Sequence, residues 1–175
     1  VIPGGHLGLG TILPAGHVAA LSWTGGRDGD TSMSALIGLM QAQDRQDAAR
    51  ALGGMVAPAL TVTLADVDGV GQLLAGAVPQ RGPGHQSAGR MPVPGWIAAN
   101  HWQGLAPAPA ALTDLAPENG IVATTGAGSG PDATLGHDRG DRYRQDRLRY
   151  LIDSREVHSR DSFIAAQNDI VSPVA

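Results

Sequence analysis

From Thr61 to Ala75 the chain alternates apolar and polar positions about a short acidic turn. Thr61-Val-Thr-Leu-Ala65 is followed by Asp66-Val67-Asp68-Gly69 and then by Val70-Gly-Gln-Leu-Leu-Ala75. A period of two on both sides of Asp-Gly predicts an antiparallel hairpin. Upstream the period lengthens. Met33, Leu36, Ile37 and Met40 fall at i, i+3, i+4 and i+7, which predicts a helix from near Thr31 with one apolar face. Asp30, Thr31 or Ser32 supplies its cap. A second helix is expected from Asp44 to Leu52, stopped at Gly53-Gly54. His17 to Trp23 reads as a strand ending at Gly25-Gly26, and the residues before it are apolar and glycine-rich without a clear period.

Beyond the hairpin the periodicity fades into a long Pro/Gly segment, from near Val78 to Asn119. Structureless connections of such length are normally functional or disordered. Gly120-Ile-Val-Ala-Thr124 predicts a short strand. It runs into a loop made permissive by Gly126, Gly128, Gly130 and Pro131. A helix opening at Asp141 or a near neighbour carries Tyr143, Arg144, Arg147, Leu148, Leu151 and Ile152. Ser159 caps a last helix, with Asp161 in its first turn and Phe163, Ile164 and Ile170 as apolar positions. There is no internal repeat. A hairpin with peripheral helices defines an α+β layered fold.

Composition narrows the function more than the fold. Of 175 residues, 42% are apolar and 16% charged, which suits a globular chain. With 25 Gly and a single Phe, the core is expected to be thin for this length and completed by neighbouring chain. The net charge is −4 and all basic residues are arginine, so electrostatics give no reason to expect nucleic acid as a partner. No apolar run approaches the roughly 20 residues of a membrane span. Cysteine is absent, which removes disulfides and thiolate chemistry. The chain starts at Val1 without Met and reads as an excerpt of a longer one.

Most candidate motifs have plain readings. Asp66 and Asp68 are hairpin-turn residues, because the further ligands and terminal Glu of a calcium loop are missing. Gly69-Val-Gly71 lacks the third glycine and helix of a dinucleotide fingerprint. Six histidines show no ligand spacing. Trp23, Trp96 and Trp102 are read as packing anchors in preference to a substrate stack.

The order of motifs says more. Ala20-Leu-Ser-Trp23-Thr and Asp30-Thr31 precede a helix ending Met40-Gln-Ala42. Ala65-Asp66-x-Asp68-Gly69 follows, with Gly76-x-x-Pro79-x-Arg81. Next come Pro92-Val-Pro94-Gly95 and Trp102-Gln-Gly104-x-x-Pro107. Pro117 to Gly120, Arg144 to Leu148, and Ser162-Phe163 with Gln167-x-Asp169-x-x-Ser172 complete the series. In collinear order these resemble the middle of the mature large chain of penicillin acylases, amidohydrolases of the N-terminal-nucleophile class. The likeness covers nearly all of the chain.

The resemblance implies a four-layer αββα sandwich and a proenzyme that cuts itself so that a serine becomes an N-terminus. It also implies a small-molecule amide substrate, and association with a small chain and the rest of the large chain. A periplasmic or secreted location follows from the same likeness. The serine's own α-amine, titrating near neutrality, serves as its base. Fixed donors then stabilise the tetrahedral oxyanion. One is an asparagine side chain just after the short strand, and an arginine on the next helix supports the apparatus. Here Arg144 matches that arginine, but Gly126 occupies the asparagine position and Ala127 the adjoining one. No segment matches the nucleophile region, so this chain alone is expected to be inactive. Some members of that family bind calcium, partly through a proline before the Pro-x-Pro turn. Gly89 falls near that place, and no cofactor or metal is expected.

Overall fold

The computed structural model describes residues 13–124 and 142–172. The chain divides into two compact units, Val1–Leu115 and Ala116–Ala175. In the first unit the hairpin forms as expected, from β1 (Leu60–Asp66) and β2 (Gly69–Ala75). Its register runs from Leu60 opposite Ala75 to Asp66 opposite Gly69. Asp66 closes the turn: its Oδ1 accepts from the N–H groups of Asp68 and Gly69 at 2.9 and 3.0 Å, the local Asx chemistry that favours Asp there.

Helix α1 (Ser32–Gln41) packs against α2 (Arg45–Leu52), and α2 lies on this hairpin. Asp44 caps α2 by accepting from the Asp47 N–H at 2.7 Å. Before α1 it is Asp30 that accepts from the Ser32 N–H and hydroxyl, at 2.9 and 2.5 Å. The expected apolar face of α1 is not the buried one. Met33, Ile37 and Met40 are exposed, and the helix buries Ser32 and Ala35 instead. Close approach explains the choice. A Cβ on Gly38 would stand 3.2 Å from that of Ala51, so α1 meets α2 through small residues. The Ser32 hydroxyl oxygen accepts from the N–H groups of Val56 and Ala57, both at 3.0 Å.

The core gathers Ala35, Leu52, Met55, Leu73 and Ala75, with Leu39, Val62, Leu64 and Leu115 packed against it. It is thin, as the composition implies: among the described residues no large side chain is fully buried. Beside β2 the chain returns at Asp114, which exchanges backbone bonds with Gln72 at 2.6 and 2.7 Å. Gly71 permits this, since a Cβ there would lie 2.7 Å from Leu115 Cα.

The segment read as one long loop contains a second antiparallel sheet, β3 (Ala77–Arg81) with β4 (Trp102–Pro107). Pro79 hid β3, because proline is confined to edge positions; in a two-stranded sheet each strand is an edge. Gly76, at φ 118° beside Ala59, bends the chain from β2 into β3. The expected strand from His17 to Trp23 is absent. His17 donates its N–H back to Pro14, and a short 3-10 turn, Thr24–Gly26, follows.

The second unit holds α3 (Tyr143–Asp153) and α4 (Arg160–Gln167). Ser159 caps α4 in a reciprocal box with Ser162, which satisfies two otherwise unpaired donors. Gly120 to Thr124 forms no strand; its Ala123 carbonyl accepts from a side chain of α3. Among the described residues no helix is long and apolar enough to cross a membrane.

Candidate functional site

Gln145 is the buried residue in the first turn of α3, and its Nε2 donates to the Ala123 carbonyl at 2.7 Å. This bond fixes the chain leading out of Gly120 against the start of the helix. Arg144, the neighbour of Gln145, is exposed. Gly126, Ala127 and Asp141 lie outside the described residues. What the structure brings together is therefore the approach to the implied oxyanion position and the helical turn that carries the implied supporting arginine.

One turn further along α3, Arg147 donates from Nε and Nη2 to the two carboxylate oxygens of Asp169, both at 2.9 Å. Its guanidinium also lies 5.2 Å from the Tyr150 ring centroid. The Asp169 carboxyl is held below its ordinary value of 3.8 by the Arg147 hydrogen bond, and Arg147 is raised by the same contact. A forked pair of this kind fixes orientation as well as charge. It ties the chain after α4 to the middle of α3. Both residues fall within recognisable motifs, but no local spacing in the sequence pairs them.

Beside the Gly120–Thr124 segment lies a cavity of about 130 Å³, lined by Asn119, Ile121, Ala123, Arg149, Ile152 and Asp153. Ligand pockets for drug-sized molecules run about 300–1,000 Å³, so this space by itself is too small to be an acyl pocket.

The first unit carries two polar clusters. Arg45 is buried; it donates its N–H and Nε to Asp66 Oδ2, both at 3.0 Å, and its Nη1 to the carbonyls of Val70 and Leu115 at 2.7 and 3.0 Å. Asp66 is held below 3.8, chiefly by the Arg45 backbone N–H, with burial opposing. One carboxylate thus serves the hairpin turn and the entry to α2 together. The sequence disclosed the turn role of Asp66 and gave no sign of Arg45.

The second cluster organises the Pro/Gly segment between β3 and β4. Asn100, buried, accepts from the Gln86 N–H at 3.1 Å and donates to Gln86 Oε1 and the Pro94 carbonyl at 2.9 and 3.0 Å. His85 Nδ1 accepts from the N–H groups of Ser87 and Ala88 at 3.3 and 3.1 Å. The segment is an internally bonded loop. Of the three tryptophans expected as packing anchors, Trp102 alone is half-buried. Trp23 and Trp96 are exposed, because Trp23 folds onto Gly25 and Trp96 leans against His17 at 5.5 Å.

The motifs accordingly sit on a hairpin, on a second two-stranded sheet and on the two terminal helices, an α+β arrangement. The family model for penicillin amidase matches residues 7–175. The chain belongs to the penicillin amidase family, as its collinear motifs imply. No curated protein matches it.

Proposed function

We propose that this chain is an internal portion of an N-terminal-nucleophile amidohydrolase that hydrolyses a linear amide to a carboxylic acid and an amine. A serine contributed by other polypeptide attacks the carbonyl, with its own α-amine as base. The segment after Thr124 borders the oxyanion, and Arg144 supports it from α3. The observation that carries this reading is the Gln145–Ala123 hydrogen bond, which holds the chain leading up to Thr124 to the turn bearing Arg144. The exposed apolar residues of α1 support a four-layer sandwich in which further chain covers that helix.

Gly126 offers only a backbone N–H where the family has an asparagine side chain. Losing one oxyanion donor costs roughly 10²–10³ in turnover. The experiment is Gly126→Asn in the processed parent enzyme. A rise in kcat by about that factor supports the reading; unchanged kcat, with the variant folded, removes this loop from the reacting carbonyl. The same glycine favours a second reading, a non-catalytic paralogue acting as a binding or structural module. N-terminal sequencing of the parent's mature large chain separates the two: a freshly exposed serine supports the enzyme, and an uncut chain supports the paralogue.

A further inference from the structure

Between Asp68 and Asp114 the sequence contains no acidic residue, yet it carries Arg81, Arg90, His85 and His101. In a chain of net charge −4 this is a local positive region. It coincides with the β3–β4 sheet and its ordered loop.

Arg81 ends β3 within this region. Its guanidinium carbon lies 5.9 Å from the Trp102 ring centroid, a cation–π distance. The loop closes over it at Gly89, whose φ is 90°. A Cβ at Gly89 would come within 2.9 Å of Arg81 Cζ and Nη2 and 3.1 Å of Nε, so only glycine lets the backbone approach the fork this closely. The guanidinium is thus fixed between an aromatic ring and the loop backbone. Among the described residues Arg81 makes no ion pair, and its Nε is buried without a hydrogen-bond partner. Its two terminal nitrogens are not among the buried unpartnered atoms; they remain in contact with solvent.

A half-buried, uncompensated guanidinium is costly to maintain, and bringing a counter-charge to it offsets that cost. Its planar fork matches a carboxylate in a bidentate geometry. The geometry points to Arg81 as a binding position for the carboxylate of a small molecule, received end-on by the two terminal nitrogens beside the face of Trp102. Lysine in the same place would supply charge without the fork. The assignment concerns binding alone and is independent of the amide-hydrolysis reading: it holds whether or not the parent enzyme is active.

Titration of the isotope-labelled full chain with acetate or inorganic phosphate, at constant ionic strength in chloride, tests this. The Arg81 Nε–H and Trp102 indole N–H resonances are followed by NMR. The expected result is a saturable shift of both with acetate, weakened about tenfold in Arg81→Lys, as loss of one charge-assisted hydrogen bond implies. Arg90→Gln, on the exposed part of the same loop, leaves the acetate affinity unchanged. Absence of saturation in the wild-type chain overturns the assignment, as does an Arg81→Lys curve identical to wild type. Equal or tighter binding of phosphate overturns the carboxylate class. The wild-type titration and the charge-preserving Arg81→Lys decide the matter even where a neutral variant fails to fold.

Discussion

At the residue scale the sequence is most readable where a side chain acts on its own backbone. Asp66 turns the hairpin, Asp44 starts α2, and Ser159 starts α4; each is a short-range bond that a local motif announces. Ser159→Ala removes the α4 cap and lowers stability by about 1 kcal/mol, measurable as a shifted urea midpoint with an unchanged slope. Leu52, 2% exposed at the centre of the core, reports packing instead. Leu52→Ala is expected to cost about 2–5 kcal/mol, and a loss below that range would mean that the site collapses on itself. Gly71 is less legible, because its reason lies in a segment far along the chain. Gly71→Ala drives a Cβ to 2.7 Å from Leu115 Cα and costs about 1–3 kcal/mol. Protection of the Gln72 and Asp114 amides from hydrogen exchange falls with it.

At the element scale, legibility depends on whether one element decides its own burial. The hairpin does, since period two fixes which face is apolar. Helix α1 does not. Its strongest apolar stripe, Met33, Ile37 and Met40, lies exposed, while Gly38 and Ala35 make the contact with neighbouring elements. Periodicity ranks residues by hydrophobicity, but close helix packing selects them by size. Strand β3 was obscured by Pro79, and its partner lies across the ordered loop built on Asn100. The elements are also joined by carboxylates whose folded-state pKa values lie below 3.8: Asp66 through the Arg45 backbone N–H, and Asp169 through the Arg147 guanidinium. Because the folded value is depressed, each contributes stability that is fully present above the unfolded value. That contribution is lost as pH falls through the folded one. Unfolding followed by helix signal should therefore show constant stability from neutral pH down to about pH 5 and a decline below about pH 4. Asp169→Asn is expected to lower the neutral-pH plateau and flatten the acid decline. An unchanged acid limb would mean that the Arg147 pair contributes nothing to folding.

At the scale of the whole molecule, the order of motifs was legible because it belongs to a family, whose model matches residues 7–175. The chemistry was less so. Its named positions are Gly126, outside the described residues, and Arg144, exposed on α3. The residue that ties the approaching segment down is the intervening Gln145, which no spacing rule singles out. The thin core has a measurable consequence. With Met33, Ile37 and Met40 exposed on an uncharged helix, the chain presents an apolar surface of the kind that binds hydrophobic dyes and promotes association. Met40 is 87% exposed, so Met40→Glu loses almost no buried area, and with Ile37→Glu it breaks the stripe. The double variant should keep its unfolding free energy within about 0.5 kcal/mol per substitution, bind less dye and sediment as a smaller species at equal concentration. Equal dye binding would place the sticky surface elsewhere. A large loss of stability would show that α1 buries this face after all, and that the small-residue contact with α2 is not what seats the helix.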